Sequence, residues 1–177
     1  EACATIPPNS LIRSLGINTT SSLGAFSISV IGLFNIIGAI TAGYLGKNFT
    51  KKYLLSLIYT GRTLVSIFFI MTPMTVETVI LFSIVMGGLW LATVPLTSGV
   101  IGYIYGMQYM GTLYGIVFLS HQIGSFVGIW LGGSLYDMFG NYNLVWWVGI
   151  GVGAFSAIIH LPVNEKPLSE RTSVATT

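Results

Sequence analysis

Five apolar stretches, each close to the roughly 20 residues that a helix needs to cross the hydrocarbon core of a bilayer, dominate this chain. They cover about 22–45, 53–72, 76–105, 112–136 and 144–163. The first, fourth and fifth contain no Asp, Glu, Lys or Arg; the second holds Arg62 and the third Glu77. Only 7% of the whole chain is charged, against about 25% in a soluble domain, too little to build a water-exposed surface. With no water in the core to satisfy backbone groups, such stretches must be helices. The expected fold class is therefore an all-α membrane protein, a polytopic bundle of about five transmembrane helices.

The breaks between stretches carry turn and charge signals: Lys47, Asn48, Lys51 and Lys52; Thr72-Pro73; 106–111; 137–143; and Pro162. Pro95 falls inside the third stretch, where it removes a backbone donor and predicts a bend. Residues 1–21, with Pro7-Pro8 and Asn9-Ser10, read as an irregular lead-in, 22–163 as the bundle, and 164–177 as a mobile polar tail. Asn18-Thr19-Thr20 has the form of a glycosylation sequon and is read as a chance match. The chain starts at Glu1 without a signal-peptide pattern, which leads us to expect a fragment of a longer protein.

A formal net charge of +2, thinly spread, gives no footprint for nucleic acid. Cys3 alone excludes an internal disulfide framework and a cysteine metal cluster. Alternate loops face opposite sides, so Lys47, Lys51, Lys52, Lys166 and Arg171 share one side, with Arg13, Glu1, Glu77 and Asp137 on the other. The excess of basic residues predicts that the lysine side is cytoplasmic and that the first helix runs inward.

Polar residues within spans are the functional candidates, because lipid disfavours them. On the fourth span, His121, Gly124, Ser125, Gly128 and Gly132 fall on one face at helical spacing. Gly124, Gly128 and Gly132 form a small-residue track suited to close helix packing. Histidine ordinarily titrates near neutral pH, so His121 either carries a proton or binds an anion, or else is a neutral group hydrogen-bonded between helices. Gln122 points about 100° away and reads as an interhelical hydrogen-bonder. On the third span Ser83, Trp90, Thr93 and Thr97 share a face, with Trp90 either lining a cavity or packing. Gly24, Gly32, Asn35, Gly38 and Ala42 cluster on the first span, where Asn35 either contacts substrate or pins two helices. Arg62 shares half of its helix with Ser56, Tyr59, Thr63 and Ser66. It either salt-bridges, lines a pathway or snorkels toward an interface, and with no acidic residue at its depth a structural role is read slightly ahead. The string Gly149, Gly151, Gly153 lies inside a span rather than after a strand, which argues against a dinucleotide loop. No metal or hydrolase motif is visible, and no cofactor is expected.

The loop GYLGKNFTKK, from Gly43 to Lys52, resembles the loop motif of the major facilitator superfamily, roughly G-x-L-x-D-R-x-G-R-R. Gly43, Leu45, Lys51 and Lys52 match; Lys47, Asn48 and Thr50 replace the usual Asp, Arg and Gly. The strings GLFNIIG, MGGLWLATVPLTSG and FLSHQIGSFVGIWLGGSLYDMFGNYNLVWW are similar to the monocarboxylate-transporter-like branch of bacterial facilitators. The resemblance implies the second half of such a fold, with the five spans as helices eight to twelve and residues 1–21 as the outer end of helix seven. It places the first, third and fourth spans beside a central cavity. That makes His121, Trp90, Asn35, Thr93, Thr97, Ser125 and Gln122 substrate-pathway candidates, Gly43, Leu45, Lys51 and Lys52 gating-loop residues, and the second and fifth spans peripheral.

The reading is thus a multi-pass integral protein of a bacterial inner membrane, a fragment of a secondary transporter working by alternating access. Its expected partners are a small-molecule solute, such as a monocarboxylate or other organic anion, the lipid bilayer and the missing N-terminal half. Two alternatives stay open: a non-transporting membrane subunit or sensor, and an intramembrane enzyme using His121.

Overall fold

The computed structural model describes residues 20–168. The expected end of a preceding helix, the Asn18 sequon, Cys3 and the end of the tail lie outside the described residues. The described residues form helices α1 (Thr20–Asn48), α2 (Lys51–Met71), α3 (Val76–Trp90), α4 (Thr93–Tyr105), α5 (Met110–Phe139) and α6 (Asn143–Ile159), with a 3₁₀ turn at Met107–Tyr109 before α5. The chain is all-helical and no strand occurs among the described residues. Four segments are long and apolar enough to cross a membrane, with α3 and α4 together counting as one; α6 is shorter.

The third span is not one bent helix but two, separated at Leu91–Ala92. Pro95 explains the break, since it has no N–H to offer the carbonyl of Leu91. That carbonyl instead accepts from the Val94 amide at 3.1 Å, a tighter turn. At the far end of α5, Gly140 takes a left-handed conformation (φ 67°) and donates its N–H to the Tyr136 carbonyl at 2.7 Å, which closes the helix as glycine readily does.

The core lies where α1, α2 and the α3–α4 pair meet. Ala42, Leu55, Ile58, Ala92 and Leu96 are buried together there. Small residues bring α1 and α3 close: a Cβ on Gly38 would run into the Gly88 backbone, and one on Gly87 would stand 2.8 Å from the Ile31 carbonyl oxygen. α2 and α6 pack in the same manner. A Cβ on Gly153 would stand 2.6 Å from Thr63 Oγ1, and the Ser56 hydroxyl donates to the Ala157 carbonyl at 2.8 Å. Phe69, Phe82 and Trp146 form an aromatic cluster that ties α2, α3 and α6, with ring centroids 4.4–5.9 Å apart.

The opposite end gathers the basic residues. The Glu165 carboxylate accepts from the backbone amides of Lys51, at 3.3 Å, and Lys52, at the half-buried N-terminus of α2. Lys52 Nζ donates to the Leu161 carbonyl at 3.2 Å. The first residues of the tail are therefore held rather than free, because four N–H groups at a helix start lack intrahelical partners and carry positive potential. Lys51 Nζ sits 5.0 Å from the centre of the Tyr103 ring.

Candidate functional site

The break at Leu91–Ala92 organises the polar residues of the bundle. Asn35, midway along α1, accepts the Leu91 N–H on its side-chain oxygen at 3.2 Å. This bond joins α1 to the end of α3. The break also splits the face expected from 3.6-residue spacing. Trp90 ends α3 and looks into one hollow, whereas Thr93 and Thr97 on α4 look into another. Ser83 faces neither; it is buried, and its hydroxyl donates to the Val79 carbonyl.

The first hollow is a cleft of about 360 Å³ lined by Thr93, Thr97, Ser120 and His121, with Tyr59 and His160 closing it from α2 and the end of α6. The structure thus brings together His121, Thr93 and Thr97 and adds His160 and Tyr59. Their rings stack with centroids 5.1 Å apart, and His160 Nδ1 lies 2.6 Å from the Ser156 carbonyl. Thr97, Val117 and His160 also wall a smaller hollow of about 170 Å³ that reaches Lys52.

Gln122 is exposed and Ser125 half-buried, and neither lines the cleft; the Ser125 hydroxyl donates to the His121 carbonyl at 3.0 Å. Gly124 and Gly128 have no atom within 4 Å of an added Cβ, and Gly132 only the Val145 side chain at 3.9 Å. The expected close packing at these glycines therefore has no partner among the described residues. Close approach occurs instead at Gly38, Gly87 and Gly153. The most apolar stretch of α5 has no buried residue.

The second hollow, about 640 Å³, lies among α1, α2, α3 and α6 and is lined by Arg62, Trp90 and Tyr59 together with apolar side chains such as Ile31, Phe82 and Trp146. The Arg62 guanidinium lies 4.8 Å from the Trp90 ring centre and 5.7 Å from that of Tyr59. The second and fifth spans, expected at the periphery, form two of its walls because Thr63 and Ser56 hold α2 against α6. His160 carried no usable signal in the sequence. It sits just past a short helix, and only the packing of α6 on α2 sets it against Tyr59, 101 positions away.

Of the residues expected to form a gating loop, Lys51 and Lys52 stand at the start of α2, held by Glu165, while Gly43 and Leu45 lie within α1. A Cβ on Gly43 would meet only the Pro95 side chain, at 4.0 Å. Among the described residues no group of three or more His, Cys, Asp or Glu side chains is placed to hold a metal ion.

Comparison with known proteins places this architecture. An uncharacterised MFS-type transporter, YcxA, of Bacillus subtilis (strain 168) is 28% identical over 151 residues, covering 82% of this chain and 37% of its own length. Monocarboxylate transporter 12-B of Danio rerio is 31% identical over 126 residues, covering 67% of this chain and 26% of its own. Monocarboxylate transporter 12 of Xenopus laevis is 27% identical over 136 residues, covering 73% and 29%. The chain thus spans about a quarter to two-fifths of the length of these relatives. No solved structure matches. Residues 2–176 fit the Major Facilitator Superfamily model, and the apolar helices, the broken third span and the glycine-mediated packing are carried by a chain that belongs to that superfamily.

Proposed function

We propose that this chain is the second half of a secondary transporter that carries a small organic anion, of the monocarboxylate kind, across a bilayer by alternating access. The observation that carries the reading is the helix broken at mid-span beside a cleft that holds His121, Thr93 and Thr97. Discontinuous helices near the bilayer midplane are where secondary transporters place substrate and coupling-ion sites, because unwound backbone and half-helix ends offer polar groups there. The substrate class is drawn from relatives named as monocarboxylate transporters.

In this proposal the N-terminal half packs on the bare face of α5, along Gly124 and Gly128, and the two halves rock about the cleft. His121 exchanges a proton or pairs with the anion, Ser125 and Gln122 face the other half across the pathway, and Asn35 holds the break in place. The Gly43–Lys52 loop gates the cytoplasmic end. The protein resides in a bacterial inner membrane with Lys47, Lys51 and Lys52 inside, and it is a carrier rather than an enzyme.

Uptake by the full-length protein in liposomes, with a panel of labelled carboxylates and with and without a proton gradient, tests the proposal. Saturable carboxylate uptake is expected. Uptake restricted to neutral or cationic solutes would remove the substrate class, and no uptake of any solute would remove the transporter reading.

A further inference from the structure

A cation at the middle of a transmembrane helix is strongly disfavoured unless it reaches water or an anion. Arg62 lies near the centre of α2. Among the described residues its guanidinium meets two aromatic faces, Trp90 at 4.8 Å and Tyr59 at 5.7 Å, and forms no ion pair. The described acids stand elsewhere: Glu77 in the first turn of α3, Asp137 in the last turn of α5, and Glu165 at the α2 N-terminus. The neighbouring hydroxyls of Thr63 and Ser66 donate along their own helix, to the carbonyls of Tyr59 and Arg62. Cation–π contacts offset part of the cost of the charge, but they do not neutralise it.

The cavity that this charge faces is about 640 Å³ and otherwise mostly apolar, within the size range of sites for small organic ligands. A planar guanidinium presents a fork of N–H donors matched to a carboxylate. We propose that the cavity binds a monovalent organic anion with an apolar body. Its carboxylate pairs with Arg62, and its body lies against Trp90, Phe82 and Ile31. The walls are α1, α2, α3 and α6; Tyr59 also borders the His121 cleft, but Arg62 and Trp90 do not line that cleft, so this site goes beyond the transport reading and does not depend on it.

Equilibrium binding of radiolabelled benzoate to the purified full-length protein, with benzamide as the neutral isostere, tests the site. Saturable benzoate binding is expected, with benzamide at tenfold excess failing to compete. Arg62→Gln should weaken binding at least tenfold, and Arg62→Lys less, since a point charge replaces the fork. Gly149 lines the cavity and an added Cβ there meets no atom within 4 Å, so Gly149→Leu fills the space with Arg62 intact and should also weaken binding at least tenfold. That variant, with Arg62→Lys, keeps the test decisive if Arg62→Gln does not fold.

No saturable binding, equal competition by benzamide, or binding unchanged in both Arg62→Gln and Gly149→Leu would overturn the site. So would an Arg62-dependent retention of phosphatidylglycerol with no benzoate binding, which would assign the charge to a lipid headgroup. Benzoate binding without uptake of any carboxylate would leave this site standing and defeat the transport reading. Carboxylate uptake with no Arg62-dependent binding would do the reverse.

Discussion

Asn35 and Leu91, 56 positions apart, are joined by a hydrogen bond of 3.2 Å in which the asparagine oxygen accepts the backbone N–H at the point where the third span breaks. The bond fixes α1 against the junction of α3 and α4, between the arginine cavity and the histidine cleft. Interhelical side-chain hydrogen bonds in membranes contribute about 0.6 kcal/mol on average and about 1.7 at most. Asn35→Leu, which cannot accept the bond, should destabilise the full-length protein within that range in reversible detergent unfolding. Asn35→Gln, which keeps a neutral amide acceptor, should retain more of the stability. Equal losses in both would mean that the bond is not what holds the junction.

The glycines divide into filled and empty positions. A side chain on Gly38 would enter the Gly88 backbone, and overpacking typically costs about 1–3 kcal/mol. Gly38→Val should therefore reduce the yield of folded full-length protein sharply. Among the described residues nothing lies within 4 Å of a Cβ added at Gly128. Gly128→Leu should leave the packing of this half unchanged and impair transport only through the partner half; unimpaired transport would turn this face toward lipid.

Glu165 satisfies two amides that a helix start leaves unpaired. Removing a capping acceptor commonly costs about 0.5–2 kcal/mol. Glu165→Ala should accelerate hydrogen exchange at Lys51 and Lys52 while sparing the centre of α2, with Glu165→Gln in between. Unchanged exchange at both amides would show that the tail does not cap α2 in the membrane.

His121 shares its cleft with His160, and the two can be separated by mutation. His121→Ala should cut uptake strongly with folding preserved, and should remove any dependence of the remaining uptake on a proton gradient. His121→Gln keeps hydrogen bonding without titration; binding retained with proton coupling lost would assign the proton to His121. A normal uptake profile in His121→Ala would exclude both roles.

Orientation is accessible to labelling. With Cys3 replaced, a cysteine at Thr50 in the Lys47–Lys52 loop should resist an impermeant thiol reagent in intact cells, and one at Asn141 should react. The reverse pattern would place the basic end outside.

The sequence by itself determined the class of this protein. Apolar stretches of about 20 residues with almost no charge fit spanning helices, which pair every backbone group within the segment, and are about twice as long as a barrel strand needs. The same run lengths and breaks gave the spans to within a few residues, and the loop from Gly43 to Lys52 with the strings around Asn35, Trp90 and His121 carried the family. The tertiary structure decided which polar groups meet. Helical spacing put Trp90, Thr93 and Thr97 on one face, but a missing N–H at Pro95 and the pin from Asn35 break the helix between them, so they serve different hollows. The family resemblance placed the second span, and Arg62 with it, at the periphery. Arg62 faces a hollow between helices because Gly153 lets α6 approach Thr63, a contact between residues 90 positions apart that no local pattern encodes. His160 meets Tyr59 for the same reason. Periodicity reports which side of a helix is polar; which neighbour that side meets depends on close packing between segments distant in the chain.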